Sequence, residues 1–333
     1  MKHNAKVAVI GSGSWATAIV KILLNNLSTV HWWVREKEVE EGIKTRGRNP
    51  LYLSSALLDS QKIHISTDLK QIIPHADVII LVVPSAYLFD TLSELQPSDF
   101  QGKSVISAIK GLVPERMGSI SSYLMNDFKL PADRLGVICG PSHAEEIASE
   151  KLTYLASASP NLALAEEVAN YFNCNYVRVQ ISNDMKGIEF AVVLKNIYAL
   201  AVGIFRGIGY GDNLLALFNT NCFNEMTHFI STLFPNAERN VFTAPYLGDF
   251  LVTAYSQFSR NRSFGIMIGN GYSVRTAQME MKMIAEGYYA VRSIHERNTQ
   301  YNIHIPIAEA VYRILYENAS AKMEVVKLLE DMS

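Results

Sequence analysis

The sequence predicts an α/β chain: a doubly wound sheet domain over residues 1–180, followed by an all-α domain over residues 181–333. Three observations carry this. Short, nearly continuous apolar strands alternate with helix-period segments through the first half, the pattern of a parallel sheet covered on both faces. Strand-like runs stop after Asn175–Val179, where long helices separated by Gly and Pro turns take over. A chain of 333 residues is also longer than one ordinary core serves.

The first strand is KVAVI, Lys6–Ile10, and GSGSWATAIVKILL follows it directly. Gly11 and Gly13 fall in the turn, and Ala16 takes the third small position of G-x-G-x-x-G/A. The spacing has a steric logic. Gly11 permits the tight turn, Gly13 lets the backbone approach a pyrophosphate, and Ala16 lets the helix lie close to the strand. Free N–H groups at the helix start then face the phosphates. This strand, turn and helix together predict a Rossmann-like dinucleotide-binding domain.

TVHWWV, Thr29–Val34, is the second strand and completes a unit of the length a βαβ crossover needs. At its end stand Arg35, Glu36 and Lys37. A carboxylate there suits the adenosine ribose of NAD and an arginine suits the extra phosphate of NADP, so the choice between NAD and NADP stays open. A solvated charged loop is the other account of Glu36 and Lys37.

Later strands are VIILVV (Val78–Val83), ending in Pro84 and Ser85; SVISAI (Ser104–Ile109), ending in Lys110 and Gly111; and LGVIC (Leu135–Cys139), ending in Gly140, Pro141 and Ser142. Ligands of such sheets bind beyond the carboxyl ends of the strands, where all these polar turns lie. Lys110 is thus a candidate ligand, against the plainer account of an exposed turn lysine.

Composition narrows the function classes. A formal net charge of -2 gives no field for a polyanion, which argues against nucleic acid. Cys139, Cys174 and Cys222 have no metal-ligand spacing, and an odd number cannot all pair within the chain, so reduced thiols and a cytoplasmic setting are expected. The N-terminus runs into a strand with no export signal pattern. The most apolar stretch, Phe190–Phe205, is shorter than a membrane span and carries Lys195 and Asn196 near its middle. It reads as a buried core helix, with Ser182 or Asp184 as its N-cap.

Lysine inside such a helix is expensive to desolvate, so Lys195 either snorkels to the surface or serves a site as general acid or base. Asp249, in YLGDFLVTAYS, is either a helix N-cap or the carboxylate that meets Lys195. Thr253, four residues on, shares its helical face. SRNR, Ser259–Arg262, is either an exposed basic turn or an arginine fork with hydroxyl and amide donors for a phosphate dianion.

Taken in order, these motifs resemble those of bacterial-type NAD(P)-dependent glycerol-3-phosphate dehydrogenases along most of the chain. GSGSWATA is similar to that family's G-x-G-x-W-G-T-A, LVVPS to a strand ending, IKG to its lysine turn and CGPSHAEE to G-P-[ST]-x-A-x-E. GIEFAVVLKNIYALAVG resembles its lysine helix, GIGYGDN its glycine turn, and LGDFLVT with SQFSRNRSFG its most diagnostic pair. Three departures stand out: Ala16 for glycine, Tyr246 where glycine is usual before Leu-Gly-Asp, and a loose match over RGRNPLYLSS.

The resemblance implies interconversion of dihydroxyacetone phosphate and sn-glycerol 3-phosphate, supplying phospholipid synthesis. Lys195 is then the catalytic proton donor and acceptor, oriented by Asp249. Lys110, Gly140, Ser142, Ser259, Arg260 and Asn261 join them around the phosphorylated substrate. Gly11, Gly13, Ser14, Trp15, Arg35, Lys110, Ala144, Arg260 and Glu286 meet the NAD or NADP cofactor. A cytoplasmic homodimer without an integral membrane segment is implied as well. Two rivals are kept. A related two-domain hydroxyacid dehydrogenase shares the first domain but has little use for Asp249 with Arg260. A non-catalytic dinucleotide sensor needs no buried lysine.

Overall fold

The computed structural model describes residues 5–116, 118–236, 238–281 and 285–332. It divides into two compact units: the residues up to Ile109 with Ile120–Met185, and Lys110–Ser119 with Lys186 onward. The short segment Lys110–Ser119 therefore groups with the helices, although it follows a strand.

The first unit is built on one eight-stranded sheet. Its strands are β1 (Val7–Ile10), β2 (Val30–Trp33), β3 (Ile63–Ser66), β4 (Val78–Leu81), β5 (Ser104–Ser107), β6 (Leu135–Cys139), β7 (Thr153–Ala158) and β8 (Val177–Ser182). The order is β3-β2-β1-β4-β5-β6-β7-β8. Every pairing is parallel except that of β6 with β7. β1 and β4 are buried along their whole length, which is why they are apolar at every position. Chain progress reverses across the sheet between β1 and β4, the switch point at which doubly wound sheets bind ligands.

Helices of this unit are α1 (Ser14–Asn26), α2 (Lys37–Arg46), α3 (Leu88–Leu92), α4 (Ile120–Asp127), α5 (Ala144–Ala148) and α6 (Leu162–Phe172). α1 buries Ala16, Ile19, Val20 and Leu23, an i, i+3, i+4, i+7 stripe against the sheet. α6 starts at Asn161, whose side chain accepts hydrogen bonds from Ala163 N and Leu164 N.

The second unit contains α7 (Met185–Ile208), α8 (Asp212–Leu233), α9 (Asp249–Tyr255), α10 (Arg260–Gly269), α11 (Val274–Glu280), α12 (Glu286–Asn298), α13 (Pro306–Tyr316) and α14 (Ala321–Asp331). α7 has the length and apolarity of a membrane span, yet its most apolar window is wholly buried within the protein. Asp184 directly precedes it, and the hydroxyl of Ser182 accepts a hydrogen bond from Asp184 N.

α7 and α10 touch backbone to backbone. A Cβ on Gly203 would stand 2.2 Å from Arg262 O, and one on Gly265 would stand 2.1 Å from Leu200 O. One turn along, Gly207 and Gly269 oppose each other in the same way. No side chain fits between the helices there, so glycine at four positions sets their separation. On α8, buried Glu225 accepts hydrogen bonds from Ile307 N at 2.8 Å, Ala308 N at 2.9 Å and the Tyr198 hydroxyl at 3.1 Å. It thereby satisfies two first-turn donors of α13. Burial pushes its carboxyl up to about 7, although the bonds from Ile307 and Ala308 pull the other way.

Candidate active site

In the first unit the turn after β1 is held from several sides. Gly11 has φ +146, and a Cβ there would meet Val82 O at 2.7 Å, so the turn requires glycine. Gly11 N donates to Trp33 O, and the Trp32 indole donates to Gly11 O at 2.7 Å. Asn49, fully buried, donates from Nδ2 to Ser12 O and to the Thr17 hydroxyl, both at 2.8 Å. Its Oδ1 accepts from Leu51 N and Tyr52 N, so the amide is fully used.

Gly13 is the N-cap of α1 and supplies no side-chain cap; a Cβ on it would meet nothing within 4 Å. The space beside Gly13 at the start of α1 is thus open next to a fixed turn, a fit for a dinucleotide pyrophosphate at a helix N-terminus. Ser14 and Trp15 are anchors of the same turn: the Ser14 hydroxyl donates to Tyr52 O at 2.9 Å and the Trp15 indole to Ala108 O at 3.1 Å.

At the end of β2, Arg35 N donates to the Ser12 hydroxyl at 2.8 Å, while its guanidinium donates to Glu36 Oε1 through Nε at 2.9 Å and Nη2 at 2.7 Å. The Tyr52 hydroxyl donates to the same oxygen at 2.8 Å. Burial alone would push the Glu36 carboxyl up; hydrogen bonds from Ser12, Tyr52 and Arg35 outweigh it and hold the group below the usual carboxylate range.

Gly140, Ser142 and Ala144 form the turn after β6. Gly140 has φ +128, and a Cβ on it would meet Tyr154 O at 2.8 Å. The Ser142 hydroxyl donates to Gly140 O, and Ala144 opens α5.

In the second unit Lys195 on α7 and Asp249 on α9 form an ion pair, with side chains 3% and 1% exposed. Lys195 does not snorkel, and Asp249 does not cap: Gly248 is the N-cap of α9, reached through a π-helical turn, Ala244–Gly248. Neither Asp249 carboxylate oxygen receives a well-aligned hydrogen bond, although Oδ1 lies in ion-pair contact with the ammonium. Contact without alignment describes a charge pair more than a shared hydrogen bond. The Thr253 hydroxyl donates to Asp249 O, the backbone carbonyl, at 2.6 Å.

Asn196, next to Lys195, organises the remaining groups. Gly287 N donates to Asn261 Oδ1 at 2.8 Å, Asn261 Nδ2 donates to Asn196 Oδ1 at 2.9 Å, and Asn196 Nδ2 donates to Lys110 O at 2.9 Å. This buried relay ties the Lys110 turn, the lysine helix, the start of α10 and the start of α12 together. Glu286 is the first residue of α12, beside Gly287.

The SRNR segment is the beginning of α10. Ser259 is its N-cap, accepting from Arg262 N at 3.3 Å, so its hydroxyl already has a structural task. Arg260 is exposed at the first helical position, and no carboxylate among the described residues pairs with it. A guanidinium over a helix N-terminus is suited to a phosphate. Asn261, expected to reach substrate, is buried and spends one amide hydrogen and its oxygen on the relay. Asn196, Asn49 and Tyr52 were not picked out from the sequence; the one signal was Asn196 as a second polar residue beside Lys195 in an apolar helix.

Residues 6–175 match the model for the N-terminal part of NAD-dependent glycerol-3-phosphate dehydrogenases, and residues 184–326 match that for the C-terminal part. Glycerol-3-phosphate dehydrogenase (NAD(P)+) of Exiguobacterium sp. is 36% identical over 328 residues, covering 98% of this chain and 95% of the relative. Glycerol-3-phosphate dehydrogenase (NAD(P)+) 2 of Salinibacter ruber is 34% identical over 317 residues, covering 95% and 91%. The crystal structure of glycerol-3-phosphate dehydrogenase from Coxiella burnetii superposes with a TM-score of 0.91 at 28% identity, covering 98% of this chain and 99% of that one.

Proposed function

The chain belongs to the NAD-dependent glycerol-3-phosphate dehydrogenase family, and from that premise we propose how its residues carry the reaction. It is an NAD(P)-dependent oxidoreductase that interconverts dihydroxyacetone phosphate and sn-glycerol 3-phosphate. The bound dinucleotide supplies or accepts the hydride at the carbon that alternates between carbonyl and alcohol.

Lys195 gives a proton to the carbonyl oxygen during reduction and takes it back during oxidation. Asp249 holds the ammonium in place and, being buried with it, keeps its field undiluted by water. Arg260 grips the substrate phosphate at the start of α10. Lys110 and Asn261 are set by the Asn196 relay, with one Asn261 amide hydrogen left for substrate. Gly11, Gly13, Ser14 and Trp15 form the dinucleotide turn. The observation that carries this reading is the buried Lys195–Asp249 pair: an isolated ammonium in an apolar helix is costly, and general acid–base chemistry accounts for keeping it.

We assign the product to phospholipid synthesis, and the enzyme to the cytoplasm as a homodimer. The family resemblance is what supports this. Loss of NADH absorbance on adding dihydroxyacetone phosphate, run beside other small carbonyl compounds, tests the activity. Equal or faster turnover of an unphosphorylated keto acid would refute the assignment of substrate.

A further inference from the structure

We propose that Glu225 is a positioning residue for the Lys195–Asp249 pair: as a carboxylate, and only so, it holds the Lys195 face of α7 against the start of α9 through the Tyr198 hydroxyl. The proposal rests on the reading of Lys195 given above. Tyr198 follows Lys195 by three residues and so shares its helical face. Its ring is fully buried and lies 6.5 Å from that of Phe250, the neighbour of Asp249 on α9. Phe223, two residues before Glu225 on α8, meets the same Phe250 ring at 5.5 Å. The face of α7 thus reaches the start of α9 twice, by the ion pair and by these rings.

Asp249 needs that support. Neither of its oxygens receives an aligned hydrogen bond, so its placement against the ammonium depends on the packing of the residues beside it. The Tyr198 phenol is the polar end of that packing, and it donates to Glu225 Oε1 at 3.1 Å.

Glu225 receives three donors: Tyr198 and Ala308 N at Oε1, and Ile307 N at Oε2. A main-chain N–H can only donate. When the carboxylate takes up a proton, its new O–H needs an acceptor, and of the three partners only the phenol can become one. Acid therefore reverses or breaks the Tyr198 bond, while both α13 donors still find an oxygen. Burial favours the neutral acid, as does Glu309 facing it from α13; the N–H groups of Ile307 and Ala308 and the Tyr198 hydroxyl favour the anion. Tyr198, and Cys222 on the same helix as Glu225, keep their own protons, because burial pushes both well above their usual ranges. With its carboxyl pushed up to about 7, Glu225 makes the exchange close to neutral pH.

The test is kcat of the full-length enzyme for reduction of dihydroxyacetone phosphate at saturating substrates, followed with pH. Wild-type kcat should fall about tenfold from about pH 8 to about pH 6, in step with the carboxylate fraction. Glu225→Gln, whose amide donates to the phenol as the neutral acid does, should give a flat profile at roughly a tenth of the wild-type plateau or less. Tyr198→Phe keeps the carboxylate and its cap on α13, and should lose the same acid limb. NADH binding should match wild type in both. An acid limb unchanged in either variant overturns the proposal, and so does a wild-type plateau in Glu225→Gln. Should wild type leave dihydroxyacetone phosphate unreduced, the dehydrogenase reading falls by itself. The Lys195 ammonium signal then decides this one, followed by NMR with isotope-labelled lysine and identified by its loss in Lys195→Met. It should move as pH crosses neutrality in wild type and stay still in Glu225→Gln; a signal that behaves alike in both overturns the proposal.

Discussion

Replacing Lys195 and Asp249 together is expected to leave the protein as stable as wild type, or more stable, while abolishing turnover. The two charges are 3% and 1% exposed, so both have lost nearly all hydration. Such a pair offsets that loss only when its remaining lone pairs and protons find partners, and the Asp249 oxygens have no aligned hydrogen bond. Removing one partner strands the other in an apolar setting, at a cost of about 3–5 kcal/mol for Lys195→Met or Asp249→Leu alone. Independent effects would sum to about 6–10 kcal/mol. Removing both charges strands neither, and the double variant should lie within about 1 kcal/mol of wild type or above it. Urea unfolding followed by far-UV circular dichroism on the four proteins gives the coupling directly. If the double variant is as unstable as the sum of the singles, the two groups do not compensate each other, and the argument that chemistry is what retains them collapses.

Other expectations use the same structure. Lys195→Met alone should lower kcat by about 10²–10⁴-fold, the usual worth of a positioned general acid, with NADH binding near normal; near-normal turnover would remove Lys195 from the chemistry. Arg260→Lys should raise KM for dihydroxyacetone phosphate on the order of tenfold, because a point charge replaces a planar fork, and an unchanged KM would place the phosphate elsewhere. Glu225 has its folded value near 7 against an ordinary 4.5. Between those two the folded protein keeps a proton that the unfolded chain has released, so its contribution falls as pH rises through the window, by about 3 kcal/mol in all. Glu225→Gln lacks this proton. The stability of the variant relative to wild type should therefore increase from pH 4.5 to pH 7, and parallel urea midpoints across that range would contradict the burial of an ionising group.

Much of the sheet unit was legible because local pattern and tertiary role coincide. β1 and β4 are buried on both faces and apolar throughout, and the turn between β1 and α1 needs glycine for its dihedral and its close contact. β3 and β7 escaped the sequence reading for opposite reasons. β3, IHIS, is a short edge strand that sets one histidine, His64, between its two isoleucines, while β7, TYLASA, contains small residues of low strand propensity. Nor does a strand's composition announce that it runs antiparallel to β6. In the helical unit, desolvation alone made Lys195 and Asp249 conspicuous and suggested that they meet. Asn196 was legible only as an interruption, since its value lies in partners 86 and 65 residues away. Gly203, Gly207, Gly265 and Gly269 show a spacing of four along two helices, but spacing does not say which helix faces which. Asn49 and Tyr52 lie in a segment with little motif character, where hydrogen bonding to the glycine turn is invisible until the chain folds.

The amide relay from Gly287 to Lys110 has a sense of direction. A main-chain N–H starts it and a main-chain carbonyl ends it, so each of Asn261 and Asn196 can be written only one way round. Deamidation of either residue exchanges the donating nitrogen for oxygen and turns that link into two lone pairs facing each other. Chemical ageing at either atom would thus cut the tie between the Lys110 turn and the start of α10, while the helices around it keep their packing.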